Sequence, residues 1–198
     1  MLEQMTQWLV NTIFEMGYWG IFLLMGVESS FIPFPSEVVL VPAGYLAAKG
    51  EMSFPMILLA SLLGSLTGAL VNYFGAMLIG RSLLLRYGRY FFVSPSTMQR
   101  MDRFFERHGP ISTFTGRLVP GVRQLISIPA GLARMGLRSF LLYTALGAGL
   151  WSTMLIALGY LIGDNEALVH TYLSQITLGT LVIVVLLLLL YTYRQNKK

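Results

Sequence analysis

The 198-residue chain is 55% hydrophobic and only 12% charged, and its 14 Lys and Arg residues against 9 Asp and Glu residues give a net charge of +5. Soluble domains usually carry about 25% charged residues, so this composition excludes an ordinary soluble protein and predicts a single membrane domain over residues 1–198. Cysteine is absent, which excludes disulfides and thiolate metal sites, and no cofactor or metal is expected. The basic residues cluster between apolar stretches, which is typical of membrane-protein orientation and argues against a nucleic-acid partner.

Four apolar stretches predict helices that cross or enter a bilayer, since a crossing needs about 20 apolar residues. In chain order they are 17–32, 55–80, 140–163 and 178–193. The first is short for a full crossing and needs help from an interfacial segment before it. The last is nearly pure Leu, Val and Ile, and it predicts a lipid-facing C-terminal transmembrane helix over 175–193.

Two further apolar stretches, 31–48 and 110–135, are interrupted by residues that disfavour a continuous helix. The residues that would shape the interruptions are Pro33, Pro35, Pro42 and Gly44 in the first stretch, and Pro120, Pro129 and Gly131 in the second. A proline inside a helix removes a hydrogen bond and costs about 3 kcal/mol. Non-helical backbone at membrane depth is tolerated only where protein or a wet cavity surrounds it. Each stretch therefore predicts a re-entrant hairpin rather than a crossing.

The distribution of basic residues favours this topology. If each hairpin enters and leaves the membrane on one side, Lys49 alone among the 14 Lys and Arg residues lies outside. Arg117 and Arg123 lie within the membrane, and all the others lie in the cytoplasm, as do both chain termini. A full crossing at either hairpin would destroy this asymmetry.

The segment 81–109 is predicted to be a cytoplasmic linker that contains an interfacial helix at 94–108. Ser94 can cap this helix, and Gly109-Pro110 is expected to end it. Arginines occupy one face of the helix, where they can bind anionic lipid headgroups. A regulatory or partner-binding role for the helix is left open. The opposite face carries Met98, Met101, Phe104 and Phe105.

The two halves of the chain share a short motif. Pro42-Ala43-Gly44 recurs as Pro129-Ala130-Gly131, each time after a hairpin with a proline and a charge and before a Gly-rich helix. The topology above gives the units 17–80 and 110–163 opposite orientations. The predicted fold is therefore an all-α membrane protein built as an inverted repeat of two re-entrant helical hairpins, each followed by a Gly-rich transmembrane helix, plus the C-terminal helix.

Four ionisable residues in the interrupted segments form the candidate site: Glu28, Glu37, Arg117 and Arg123. A charge at the bilayer centre costs at least about 2.5 kcal/mol, so these residues need partners or a function. Mutual neutralisation across the repeat interface is expected, and a purely structural salt bridge is the alternative. The arginines match phosphate or carboxylate oxygens, whereas desolvation favours the neutral form of the acids and makes them candidates for proton exchange.

The segment 28–37, Glu-Ser-Ser-x-x-Pro-x-Pro-Ser-Glu, resembles the first signature of the bacterial DedA family, which is related to the SNARE-associated Golgi (VTT) proteins. The segment 116–123, Gly-Arg-x-x-Pro-x-x-Arg, resembles the second signature, together with the Pro-Ala-Gly at 129–131 and Trp151 further on. The resemblance covers most of the chain. Many members carry Pro-Gly-Asp where this chain has Pro-Ser-Glu at 35–37, which leaves the substrate open.

The resemblance implies a multi-pass protein of the bacterial inner membrane that translocates undecaprenyl phosphate or another phospholipid and depends on the proton motive force. The family's essential acids match Glu28 and Glu37, which are assigned to proton coupling. Its essential arginines match Arg117 and Arg123, which are assigned to the phosphate headgroup. Lipid and protons are thus the expected partners, and a homo-oligomer is left open.

Other function classes remain to be weighed against a lipid flippase. A phospholipid scramblase or a small-ion/proton antiporter could use the same acids, and a scaffold would tolerate charge-conserving changes at all four positions. A membrane enzyme such as a lipid phosphatase is not expected, because it needs a nucleophile or a metal cluster and the sequence offers only His108 and His170.

Overall fold

The computed structural model describes residues 2–30, 35–80, 95–119 and 121–162, and the regular structure within these ranges is entirely helical. The helices are α1 (Leu2–Glu28), α2 (Glu37–Ala48), α3 (Phe54–Gly75) with a π-helical turn (Ala76–Gly80), α4 (Pro95–Leu118), α5 (Ser127–Leu132) and α6 (Leu137–Ile162). Ser94, Pro33, Pro120 and the predicted C-terminal helix at 175–193 lie outside the described residues.

Helix α1 is bent at Gly17, whose backbone has φ 57° and ψ −143°. Glycine adopts such a conformation readily because it has no Cβ atom. The part of α1 that follows the bend ends at Glu28, so it is too short to cross a bilayer, as the short apolar stretch at 17–32 predicts.

Two helical segments, Phe54–Gly80 and Leu137–Leu161, are long and apolar enough to cross a membrane by length and composition, and they coincide with the predicted spans at 55–80 and 140–163. Their outer faces expose large apolar side chains such as Leu59, Leu63 and Leu146. Their inner faces bury polar side chains: Ser61, Ser65, Asn72, Thr144 and Ser152. This inside-out distribution is the one expected of a protein whose surface contacts lipid.

The prediction that Gly109-Pro110 ends the interfacial helix is wrong, because α4 continues without interruption to Leu118. A proline inside a helix removes one hydrogen bond, but tertiary packing can outweigh that cost. Here Gly109 lies close to Met135, and Phe105 is buried in a core cluster with residues of α3, α5 and α6. The predicted single apolar face is also divided, since Phe104 is 50% exposed and Phe105 only 6%.

Four of the seven residues expected to shape the hairpins lie inside short helices instead of at the interruptions. Pro42 and Gly44 lie within α2, and Pro129 and Gly131 lie within α5. The described residues before these helices are not helical, 29–30 and 35–36 in the first half and 119 and 121–126 in the second. They make up two non-helical segments, and Pro35 lies in the first.

The helices of the two halves interlock. Helix α1 packs on α3 and α4 packs on α6, so each long helix contacts the spanning helix of its own half. The short helices contact the other half, α2 on α6 and α5 on α3, while α3 and α6 pack on each other. Each half is thus completed by the short helix of the other.

Glycines permit these contacts at equivalent positions. A Cβ atom added at Gly44 would overlap the carbonyl oxygen of Ile156 in α6, and one added at Gly131 would overlap that of Tyr73 in α3. Small residues let helix backbones approach this closely in a membrane. The motif shared by the two halves therefore places a glycine of each short helix against the backbone of the opposite spanning helix.

We predict that Gly131→Ala lowers the stability of the detergent-solubilised protein by about 1–3 kcal/mol, the usual cost of overpacking, because the methyl group has no space beside the Tyr73 carbonyl. Gly136→Ala is the matched control, since a Cβ atom there has no neighbour within 4 Å. Thermal unfolding of the two variants measures the difference. Equal melting temperatures for Gly131→Ala, Gly136→Ala and the wild type would contradict the close contact.

Candidate functional site

Three of the four predicted charges, Glu28, Glu37 and Arg123, form one largely buried cluster. The Arg123 Nη2 atom lies 2.8 Å from Glu28 Oε1 and 3.7 Å from Glu37 Oε2. Arg123 belongs to the second half of the chain, whereas Glu28 ends α1 and Glu37 begins α2 in the first half. Arg123 is 7% exposed and Glu28 is 3% exposed. The predicted neutralisation between the halves is therefore present for Arg123.

Neighbouring polar side chains bind the Glu28 carboxylate and fix its orientation. Ser29 Oγ donates to Glu28 Oε2 at 2.9 Å, and Gln124 Nε2 approaches Glu28 Oε1 at 3.5 Å. Arg123 and Gln124 are consecutive, so one end of Glu28 faces two donors from the second half. This carboxylate is one of the two, with that of Glu37, through which the halves are joined by charge.

Arg117 takes a different position from Arg123. It lies in the last turn of α4, is 3% exposed, and donates from Nη2 to Ser127 Oγ at 2.9 Å. Within the described residues it forms no ion pair, and its Nε atom is buried without a hydrogen-bond partner. A buried guanidinium that lacks a carboxylate partner retains donors for an anion.

Asn72 of α3 links the two non-helical segments directly. Its Nδ2 atom donates to the backbone carbonyl of Ser29 at 3.1 Å and to that of Gln124 at 3.3 Å, while its side chain is fully buried. One amide group therefore satisfies a carbonyl in each segment. Such pairing is what non-helical backbone at membrane depth requires.

Trp151 of α6 contacts Arg123 of the cluster and Ser36. Its ring centroid lies 5.0 Å from Arg123 Cζ, and its Nε1 atom donates to Ser36 Oγ at 3.3 Å. Ser36 is fully buried and immediately precedes Glu37. The indole thus spans the distance between the cation and the start of α2.

A small cavity of about 10 Å³ lies beside these groups. It is lined by Met25, Glu28, Ser29, Ser65, Arg117, Arg123, Ala148, Trp151 and Ser152. The buried hydroxyl of Ser152 has no hydrogen-bond partner among the described residues. A cavity of this size holds about one water molecule, so a phosphate group does not fit in this conformation.

The structure therefore unites Glu28, Glu37 and Arg123, and it places Arg117 on the wall of the same cavity as Glu28 and Arg123. Sequence reasoning missed the role of Asn72, although a lone amide within the apolar stretch 55–80 is a signal for a buried polar contact. It also missed Ser127 as the partner of Arg117, because nothing in the sequence distinguishes that serine. Within the described ranges, no three His, Cys, Asp or Glu residues are grouped so that they could bind a metal.

Comparison with known proteins gives the following matches. A family model described as the VTT domain matches residues 34–161. Uncharacterized membrane protein YkoX of Bacillus subtilis (strain 168) is 36% identical over 197 residues, which cover 100% of this chain and 87% of that protein. Alkaline phosphatase-like protein of Lactococcus lactis subsp. cremoris (strain MG1363) is 32% identical over 200 residues, which cover 96% of this chain and 94% of that protein. Undecaprenyl phosphate transporter A of Bacillus subtilis (strain 168) is 30% identical over 190 residues, which cover 94% of this chain and 92% of that protein.

No solved structure matches the chain. The VTT-domain match extends over well more than half of the sequence, and the relatives align with nearly all of it. The relatives are bacterial, and the resemblance found at 28–37 and 116–123 is confirmed. The chain belongs to the VTT-domain, or DedA, family and is a bacterial membrane protein.

Proposed function

We propose that this protein translocates a phosphate-headed lipid across the bacterial cytoplasmic membrane in a proton-coupled cycle, and that undecaprenyl phosphate is the lipid. The observation that carries the proposal is the buried cluster in which Arg123 of one half lies between Glu28 and Glu37 of the other, with Arg117 beside it. Ionisable residues within a membrane domain commonly mark substrate and proton pathways.

The proposed architecture is an inverted repeat in which each interrupted segment and its short helix form a re-entrant hairpin. Equivalent close contacts support it. A Cβ atom at Gly64 of α3 would overlap the Phe22 carbonyl of α1, and one at Gly147 of α6 would crowd the Phe114 carbonyl and Arg117 of α4. Secondary transporters of this kind bind substrate where discontinuous helices of the two repeats meet. The asymmetric distribution of basic residues supports cytoplasmic termini.

Arg117 and Arg123 are proposed to bind the phosphate headgroup. A guanidinium presents a planar set of donors that matches phosphate oxygens, and it retains its charge when buried. Arg117 has an uncharged partner, Ser127, and an unused Nε atom. Arg123 is held by carboxylates, so it becomes available only when those carboxylates release it.

The balance of charge suggests how protons are coupled. With both acids ionised, the two carboxylate charges equal the two arginine charges in number, although only Arg123 is paired with them. A phosphate entering this low-dielectric site adds negative charge, which is unfavourable unless protons enter too. Protonation of the two acids would release Arg123 to the phosphate, and deprotonation would expel the phosphate as the ion pairs form again.

The small volume of the cavity beside the cluster is the one expected for a closed state of this cycle. Its volume of about 10 Å³ admits no phosphate group, so Arg123 must leave the acids before the headgroup enters. The choice of lipid rests on the relative named Undecaprenyl phosphate transporter A, and another phospholipid is the alternative within the same mechanism.

We predict that Arg123→Ala lowers translocation of undecaprenyl phosphate in proteoliposomes by about tenfold or more, because a hydrogen bond to a charged group contributes about 1.5–3 kcal/mol. Arg117→Ala should have an effect of the same order. Arg138→Ala is the control, since Arg138 is exposed on α6 away from the cavity. Wild-type rates in both site variants would contradict the proposed headgroup site. Release of inorganic phosphate from the lipid would indicate a phosphatase instead.

We also predict that Glu28→Gln combined with Glu37→Gln removes the dependence of lipid translocation on an imposed pH gradient, because neither side chain can then exchange a proton. Glu51→Gln, a change at an exposed acid, should keep that dependence. The measurement compares translocation rates with and without the gradient. A double variant that still responds to the gradient as the wild type does would refute coupling through these acids. Proton flux in vesicles without polyprenyl phosphate would favour an ion antiporter.

A further inference from the structure

Trp151 is the one aromatic side chain that the described residues place against the Arg123 guanidinium, and the proposed cycle leaves it without a role. An indole face attracts a cation most strongly when the pair is shielded from water. Arg123 is 7% exposed and Trp151 is half-buried, so the contact is largely desolvated. The hydrogen bond from Trp151 Nε1 to Ser36 Oγ fixes the plane of the ring.

We infer that Trp151 is a positioning residue that holds the Arg123 guanidinium in place when the carboxylates of Glu28 and Glu37 are neutral. The inference deepens the proposed function and rests on it for its role in transport. In the closed state the carboxylates bind Arg123 on one side and the indole covers it on another. When protonation removes the carboxylate charges, the indole face is the remaining favourable contact for the cation until phosphate arrives.

The charged groups around this contact are few. Among the described residues, Glu28 faces it from the end of α1, Glu37 from the start of α2, and Arg117 from the end of α4. Helix α3 contributes uncharged groups, Ser65 and Asn72, to the same region. The protonation state that Trp151 influences is therefore that of the two acids.

The sign of the effect follows from this arrangement. Trp151 stabilises an unpaired guanidinium more than a paired one, because the carboxylates already offset much of the charge of a paired guanidinium. Without the indole, the neutral state of the acids becomes less favourable, so they stay ionised and paired down to a lower pH. The pH at which translocation is half-maximal should therefore decrease.

The experiment measures the pH profile of lipid translocation for Trp151→Leu, Trp151→Phe and Trp19→Leu. We expect the midpoint in Trp151→Leu to move to lower pH by about half to one unit, a three- to tenfold change in protonation at fixed pH. Trp151→Phe keeps an aromatic face and should stay nearer to the wild type. Trp19 is 74% exposed on α1 and serves as the matched control, with an unchanged midpoint.

A lower rate at an unchanged midpoint in Trp151→Leu would show a merely structural role and overturn the inference, as would equal midpoints for the Leu and Phe variants. If Trp151→Leu does not fold, the comparison between Trp151→Phe and the wild type decides, and an identical profile with identical rates overturns the inference.

A fluorescence titration separates this inference from the proposed function. In a protein with Trp8→Phe and Trp19→Phe, emission comes from Trp151 alone, since the chain has three Trp residues. The emission should change on acidification, and Glu28→Gln with Glu37→Gln should abolish the change. If the wild type moves no lipid, the proposed function fails, but this titration still decides the inference. Emission that is indifferent to pH, or a change that persists in the double Gln variant, overturns it.

Discussion

The pairing of Arg123 with Glu28 and Glu37 is the interaction on which the rest of the structure depends. Each of these charges alone would be costly within a membrane domain, and desolvation makes a buried ion pair a poor source of stability in itself. Removing one partner is far worse, because the other charge is then left buried and uncompensated. Separating the two halves of the chain would therefore leave buried charges without partners, so the charges hold the halves together.

The packing of the helices serves this requirement. Gly44 and Gly131 let each short helix approach the spanning helix of the other half, which brings the non-helical segments before those helices into the interior. Irregular backbone is tolerated there because protein surrounds it, and Asn72 supplies hydrogen bonds to a carbonyl in each segment. The exposed faces of α3 and α6, in contrast, are apolar and suited to lipid.

The sequence allowed the two spanning helices and the family to be predicted, and it singled out the four charges of the candidate site, because hydropathy and isolated charges are strong signals in an apolar chain. It did not allow the course of α4 to be predicted. Proline locally favours the end of a helix. At Pro110 the packing of Gly109 against Met135 and the burial of Phe105 outweigh that preference, and α4 continues. Which charges would pair was equally inaccessible. Arg117 and Arg123 look alike in sequence, yet only Arg123 lies against the acids within the described residues, and turns at 121–126 separate it from Arg117.

The proposed transport cycle requires that Arg123 exchange its carboxylate partners for the phosphate of a lipid. An experimental structure of the protein in nanodiscs with undecaprenyl phosphate, determined at a pH that protonates the acids, tests it most directly. We expect headgroup density within hydrogen-bonding distance of Arg117 and Arg123, with the Arg123 guanidinium withdrawn from Glu28. A headgroup bound elsewhere, or one bound while Arg123 still contacts Glu28 at 2.8 Å as it does here, would contradict it.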